Sequence, residues 1–539
     1  MSILNDLDIT KLVEITKEKI EKVYFQDNIP WIIGYSGGKD STCTTQIIID
    51  TLLDLKNKGK ELNKQVYVIS SDTMVETPMI IDTIGRTIDG INALAANNGL
   101  PIKASIVRPS YDKGFWANLI GRGYPCPNQT FRWCTDRMKI EPANRFTESI
   151  LGEYGEAVMI LGVREGESNS RDRVLESHTI DGKDFMRHTT QSNSYVFAPI
   201  RNFTKDDVWN YLLSNRSPWG GDNNELFKLY SDSLAGEECP IMMSEEDKKK
   251  TTCGNSRFGC WVCTVVTEDK SLTGFIKSGV KWLKPLLEYR NWIYSIRDNE
   301  DKRMKRRANG SIYFSKINKL ENGDLVISAK GSRSKNIIRN IDGKWIDSSD
   351  TEWHVFTSPQ SEMEAKNYIV NNNIDLTLGA NPKIIIKKID DEYYQLGLGP
   401  FTLDTRKEML SKLIETQYNL EQKYQLIKRE ELVEIQKLWR EAGDFDNSVE
   451  KIYKQFYQDD IVLSSDDITI FSNEDLKILE EICRQYGFDA KLFLELLAIA
   501  RQHSGYTNRT ESLKAIKSKL SQEYLSFKEK GDTNEDSYY

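Results

Sequence analysis

Sulfur is scarce in this chain, which has eight cysteines among 539 residues. No stretch approaches the run of about eighteen or more apolar residues that a membrane span needs, so no membrane partner is expected. The opening segment MSILNDLDITKLVEITKEKI alternates polar and apolar residues like a helix. It lacks the apolar core and small-residue cleavage site of a secretory signal. A cytoplasmic protein is therefore expected, and there cysteines serve metals or catalysis more often than disulfides. An excess of positive charge is missing too. The net charge is −8, so nucleic-acid binding is not advertised globally, although local patches remain open. Internal repeats are absent. What is present is length, enough for two or three domains.

Strands alternate with helices through the first third. WIIGYS at 31–36 reads as a buried strand and 41–55 as a helix. VYVIS at 66–70, IKASIVRP at 102–109 and AVMILGV at 157–163 read as further strands, and 80–98 as a second helix. That alternation predicts a parallel α/β sheet with helices on both faces. TKDDVWNYLL at 204–213 reads as a helix capped by Thr204. Between Asp301 and Lys344 there are twelve Lys or Arg against four Asp or Glu. SIYFSKI, DLVISAKG and KWIDSS within that basic stretch read as short strands. Beyond about residue 403 the pattern is mainly helical, ending in a polar tail expected to be disordered. The expected divisions are 1–235, a cysteine region at 236–300 completing the catalytic domain, a basic, partly β insertion at 301–400, a helical region at 401–530 and a tail at 531–539.

Between the first strand and its helix lies Ser36-Gly37-Gly38-Lys39-Asp40-Ser41. Two glycines let backbone N–H groups form an anion nest, and the helix adds its positive end. Lys39 offers a point charge for phosphate, and Ser36 and Ser41 offer hydroxyls. The Walker A spacing is absent. The motif resembles the PP-loop of ATP pyrophosphatases, an adenine-nucleotide α-hydrolase-like fold whose members cleave ATP between the α and β phosphates. SSDTMVET at 70–77, with Ser71 and Asp72, follows the second strand, where open α/β folds bind ligands. Asp40 and Asp72 are candidates for Mg²⁺, with capping and turn formation as their ordinary roles. Gly162-Val163-Arg164 through Arg171 resembles a stretch of the phosphoadenylylsulfate (PAPS) reductase branch. Arg164 and Arg171 can neutralise phosphate there, or form surface ion pairs. RWCTDRMKIE at 132–141 resembles the same branch. Cys134 in it can carry sulfur, bind metal or simply pack, and Lys139 can meet phosphate. Cys43 and Cys483 read as packing residues, and the role of Cys126 stays open.

Three cysteines crowd into CGNSRFGCWVC at 253–263. Cys260 and Cys263 form a C-x-x-C pair, with Cys253 and Cys239 upstream. Four thiolates suit tetrahedral zinc or a [4Fe–4S] cluster, and the spacing does not choose. Zinc ribbons generally use two such pairs, and only one is here.

The combination of SGGKDST, GVREGESNSR, GEECP and CGNSRFGCWVCTVVTEDKS resembles the DndC family of DNA phosphorothioation proteins from about residue 15 to 300, and more loosely in GLGPFTLDTRKEML at 397–410. The resemblance implies an ATP-dependent sulfurtransferase with a [4Fe–4S] cluster. Its partners would be DNA, a cysteine desulfurase as sulfur donor, and DndD- and DndE-like proteins. Lys39, Asp40, Cys134 and Arg164 are then the expected catalytic residues. Ser36 to Ser41, Ser71, Asp72, Gly162, Arg164 and Arg171 would bind nucleotide, and Cys239, Cys253, Cys260 and Cys263 the metal centre. Lys302, Arg303, Lys305, Arg306 and Arg307 are candidates for DNA contact. Other readings are a tRNA-thiolation enzyme, a phosphosulfate reductase and a non-enzymatic iron–sulfur DNA sensor. The reductase would need a C-terminal cysteine motif, and only Cys483 lies in the last 270 or so residues.

Overall fold

The computed structural model describes residues 8–165, 186–187, 194–233, 259–328, 335–372, 374–377, 382–388, 391–420, 424–444, 446–457, 461, 463, 473–487, 490–502 and 510–520. The chain forms two compact units. The first comprises residues up to Phe115 and Pro127–Glu288. The second comprises Trp116–Cys126 and Tyr289 onward.

In the first unit, strands β1 (Trp31–Gly34), β2 (Val66–Ser71), β3 (Ile102–Val107), β4 (Ala157–Ile160), β5 (Met186–Arg187) and β6 (Ser194–Phe197) make one sheet in the order β3-β2-β1-β4-β6-β5. All pairs are parallel except β5 with β6. The expected strands at 31–36, 66–70, 102–109 and 157–163 are thus present, three trimmed at their ends and the second one residue longer. Strand side chains alternate between faces. Trp31, Ile33, Val66, Val68, Val158 and Ile160 join one core with α1 (Ile9–Phe25), α2 (Lys39–Asn57) and α3 (Pro78–Asn98). Ile32, Ile69 and Ala157 point the other way, onto Ile150 of α4 (Glu141–Tyr154). Both faces being covered explains why the strands read as nearly continuous apolar runs. Helix α5 (Lys205–Ser214) carries the expected Thr204 cap, closed by Asp207 into a capping box. Helices α6 (Asn223–Ser233) and α7 (Lys270–Lys277) follow; Gly274 lets α7 lie where a Cβ would stand 2.3 Å from Ser233 O.

The order reverses between β1 and β4, since the chain leaves β1 toward β2 and β3 on one side and takes up β4 on the other. The loops after these two strands therefore flank one crevice at the carboxyl edge, the ligand position of open α/β sheets.

The second unit holds an eight-stranded sheet in the order β7-β14-β13-β12-β11-β10-β9-β8. Its end strands, β7 (Phe314–Lys316) and β8 (Asn318–Lys319), are separated by Ile317 alone, so the sheet closes on itself as a small barrel. Ile317, Leu325, Ile338, Trp353, Ile385 and Tyr393 fill the interior. The hairpin between β10 (Lys335–Ile341) and β11 (Lys344–Ile346) turns on Asp342 and Gly343, both with positive φ (51° and 85°), the turn that matches strand twist. The parallel pair β12 (Glu352–Phe356) and β13 (Ile384–Lys387) is connected through α9 (Ser361–Asn371), which packs outside the barrel. Helix α8 spans Lys284–Ile296, and α10 (Leu403–Asn419), α11 (Arg429–Glu441) and α12 (Ser448–Lys454) form part of the helical remainder.

One segment inside the expected 1–235 division groups elsewhere. Trp116–Cys126 belongs with the second unit, held by partners hundreds of residues away. Trp116 Nε1 donates to Leu426 O (2.8 Å), Trp439 Nε1 to Ile120 O (2.9 Å) and Arg406 NH1 to Gly121 O (2.6 Å). The GLGPFTLDTRKEML stretch is a junction in this unit: Phe401 N–H donates to Gly123 O, and a Cβ on Gly399 would land on Arg306 O. Among the described residues no helix is long and apolar enough to cross a membrane.

Candidate functional site

The loop after β1 turns on Gly37, whose φ of 72° favours glycine. Gly38 then begins α2, leaving the first helical amides directed outward. Ser41 Oγ braces the turn: it donates to Gly38 O (2.9 Å), accepts from Ser36 N–H (3.2 Å) and lies 3.1 Å from Ser36 Oγ. Lys39 Nζ pairs with Asp40 Oδ2 at 2.9 Å. Arg164, buried just past β4, holds Asp40 Oδ1 through Nε at 2.6 Å. Gly162 makes this approach possible, because a Cβ there would sit 2.7 Å from Asp40 O and 2.9 Å from Ser41 N. The expected residues Ser36 to Ser41, Gly162 and Arg164 are thus brought together. Asp40 and Arg164 are engaged with each other across the loop.

Asp72 is committed in a similar way. Its Oδ1 accepts from Met74 N–H (2.8 Å) and its Oδ2 from Arg108 Nε (2.7 Å). These bonds hold Met74 at a φ of 63°, a conformation that a bulky residue adopts only when its surroundings enforce it. These bonds shape the turn after β2. Beside it at the end of β2, the buried Ser70 Oγ has no hydrogen-bond partner among the described residues.

The loop that Asp72 shapes leads to the thiols. Glu76 and Cys260 form a β-bridge, and Trp261 N–H donates to Val75 O. Glu76 Oε1 accepts from Thr73 Oγ1 (3.1 Å) and meets Lys139 Nζ (3.3 Å), while Thr73 Oγ1 lies 3.3 Å from Cys260 Sγ. Cys263 N–H closes the turn on Cys260 O. Burial pushes the Cys260 thiol up, and Glu76 pushes it further. Burial also raises Cys134, and the nearby Cys263 sulfur adds to this. Burial works to lower Lys139, but Glu76, Cys260 and Cys134 outweigh it and raise its pKa. Cys134, Cys260 and Cys263 therefore share one neighbourhood, and none is in a disulfide. Among the described residues no group of three His, Cys, Asp or Glu is drawn close enough to hold a metal ion. The soft sulfur donors present suit a zinc or iron–sulfur centre. Cys239, Cys253 and Arg171 lie outside the described residues.

Cys43 is fully buried in the core, as a packing residue. Cys126, also buried, is pushed up to about 12 by desolvation, and Cys483 is buried as well.

Three of the five basic candidates for DNA contact are buried, while Arg307 is exposed. Arg303, Lys305 and Arg306 are 4%, 3% and 8% exposed, out of reach of DNA phosphates. Arg303 donates to Gly399 O and Arg297 O, and Lys305 pairs with Glu300. Lys302 pairs with Glu408, and Arg307 covers the Tyr313 ring. A count of local charge misses carboxylates supplied from other parts of the sequence.

Sequence reasoning also missed Tyr230 on α6. Its hydroxyl accepts from Lys39 N–H (3.2 Å), and its ring lies 5.7 Å from Lys39 Nζ. Nothing in the local pattern of NNELFKLYSDS marks it, because the contact spans 191 positions. Glu76 stood inside the quoted SSDTMVET stretch, but its tie to Cys260 is likewise long-range.

Residues 30–266 match the family profile described as the phosphoadenosine phosphosulfate reductase domain. An uncharacterized protein of Methanocaldococcus jannaschii, MJ0066, is 27% identical over 240 residues. The match spans 44% of this chain but only 40% of that relative's length. Among solved structures, the phosphoadenylyl-sulfate reductase of Candida auris aligns at 15% identity over 43% of this chain and 94% of its own, with a TM-score of 0.25. The U34-tRNA thiolase NcsA of Methanococcus maripaludis, solved with its [4Fe-4S] cluster, aligns at 16% over 42% and 74%, also with a TM-score of 0.25. Residues 30–266 are thus similar to a phosphoadenosine phosphosulfate reductase domain, over less than half of this chain.

Proposed function

We infer that this chain is an ATP pyrophosphatase that activates a phosphate for sulfur transfer, and that its substrate is the DNA backbone. The observation that carries the reading is the pairing of an anion nest, Ser36 to Ser41, with three thiols along the carboxyl edge of one sheet. A non-bridging phosphodiester oxygen is a poor leaving group. In the proposed reaction it attacks the α-phosphorus of ATP, and the bond to the β-phosphate oxygen breaks. The amides opening α2 and the Lys39 ammonium take up the charge on the departing pyrophosphate. ATP competes with Asp40 for Lys39, while Arg164 keeps Asp40 in place. Magnesium, when bound, shields the phosphate charges. A sulfur nucleophile then attacks the DNA phosphorus, and AMP leaves with the former oxygen.

The sulfur comes from a cysteine desulfurase as the outer sulfur of a Cys134 persulfide; after that sulfur bonds to phosphorus, a thiol reductant from solution attacks the Cys134 sulfur, breaks the S–S bond and frees the phosphorothioate, and a second reductant thiol restores the Cys134 thiol. Cys260 and Cys263, together with Cys239 and Cys253, would hold a [4Fe–4S] centre, with zinc as the alternative; such a centre would order this loop and exchange single electrons. DndD- and DndE-like proteins are the proposed assembly partners, in the cytoplasm.

The test is pyrophosphate release from ATP by the full chain, with and without DNA, alongside iron and sulfide counts on protein purified without oxygen. DNA-stimulated release with about four irons is expected. Absence of release under all conditions would leave a non-enzymatic binding protein. Stimulation by tRNA alone would move the substrate to RNA thiolation.

A further inference from the structure

With Arg303, Lys305 and Arg306 buried, the proposed DNA substrate needs another landing surface. One lies beside Cys134. The turn ahead of it is built around a single side chain: Asn128 Oδ1 accepts from Thr130 N–H, Thr130 Oγ1 and Phe131 N–H, each at 2.9 Å, while Asn128 N–H donates to Phe131 O. Its base is pinned to the cysteine turn, because the buried Thr264, next to Cys263, donates to Pro127 O at 2.7 Å. Trp133 anchors the far side, stacked on Phe115 and 6% exposed. Held at both ends, the turn presents Phe131 to solvent at 43% exposure, with Arg132 exposed beside it.

Cations continue along the same rim. From Asn128 to Arg145 there are four Lys or Arg against two Asp or Glu. Arg145 is exposed and donates to Arg108 O, and Arg108 stands just past the carboxyl end of β3 with its side chain 46% exposed. Lys139 is 45% exposed and tied to Glu76, past the end of β2. Arg108 and Lys139 already have carboxylate partners, Asp72 and Glu76, and Arg137 is half-buried, so Arg132 and Arg145 are the exposed cations best placed to meet phosphate. A rigidly mounted aromatic ring flanked by arginines suits a single strand: the ring stacks on a base, and the guanidiniums meet the phosphates.

We propose that the Asn128–Arg132 turn and the Arg108–Arg145 rim receive a locally unpaired DNA strand, with Phe131 stacked on one base and Arg132 and Arg145 on backbone phosphates, so that a phosphate lies beside Cys134. This rests on the DNA reading above and adds the surface and the unpaired state of the strand.

The test is fluorescence anisotropy of the full chain with a labelled oligonucleotide of about 20 nucleotides, longer than common single-strand sites. It is presented single-stranded, as the matching duplex and as RNA, across a salt series. The wild type is expected to prefer single-stranded DNA. Phe131→Ala is expected to weaken binding about tenfold and erase the preference, with Phe131→Trp restoring both. Arg132→Ala should lower the salt slope by about one. Lys344→Ala, on the barrel hairpin, should change nothing. Thermal melting checks that the variants are folded. Equal DNA binding by wild type and Phe131→Ala overturns this surface while leaving the ATP chemistry untouched. No DNA binding by the wild type overturns both this proposal and the DNA reading. Tighter binding to RNA than to DNA also overturns it.

Discussion

At Gly162 a single methyl group would stand 2.7 Å from the backbone oxygen of Asp40. Backbone cannot swing aside as a side chain can, so Gly162→Ala must displace the start of α2. Nucleotide affinity should fall about tenfold or more, the scale on which small displacements act in active sites. Titration with a non-hydrolysable ATP analogue measures it, and unchanged affinity would show that the nest tolerates the shift. Tyr230 poses the opposite case. Its hydroxyl occupies the Lys39 amide that a phosphate would use. Tyr230→Phe removes that acceptor and leaves the amide to the ligand. Affinity for pyrophosphate should rise roughly two- to tenfold, the worth of about one hydrogen bond. Weaker binding would mean that the hydroxyl holds phosphate instead of competing with it.

At the scale of elements, the barrel depends on Asp347, between β11 and β12. Burial alone would raise its pKa, but Trp353 Nε1 (3.0 Å), the Ser349 and Thr351 amides and Asn336 outweigh burial and hold it below the ordinary value. A depressed carboxylate contributes stability that is present above its unfolded pKa and lost as pH falls through the folded one. Asp347→Asn should therefore cost about 1–3 kcal/mol at neutral pH. The gap from wild type should close below about pH 4, near the ordinary Asp value. Denaturant melts at pH 7 and pH 3 decide this; a gap independent of pH would assign the loss to packing. The Asp-Gly dipeptide of the neighbouring hairpin is a signal that a reading of turns alone can find, whereas the Asp347–Trp353 bond depends on how the strands fold back.

For the whole molecule, the partition of the chain matters most. Trp116, Leu119 and Ile120 are fully buried, and their segment takes hydrogen bonds from Trp439 and Arg406 and gives one to Leu426. A chain ending at residue 400 loses all of these partners. It should express as insoluble protein or melt well below the full chain, as followed by circular dichroism. A soluble, cooperatively folded truncation would show that the helices beyond 400 are an independent appendage. Losing a partner protein from such a truncation would therefore say little about docking, since the fold itself would be compromised.

Local pattern determined the parallel sheet, the Ser36–Ser41 nest and the Cys260–Cys263 pair, because each is written in contiguous residues: apolar runs for strands buried on both faces, glycines for a tight turn, and thiols three apart. It determined neither which charges reach solvent nor which thiols meet. Arg303 and Lys305 of the basic run turned inward because the Gly399 carbonyl and the Glu300 carboxylate meet them there. Cys134 came beside Cys263 because the carboxyl edge of the sheet gathers loops distant in sequence. Burial and long-range hydrogen bonding are properties of the folded chain, and only the tertiary structure could decide them.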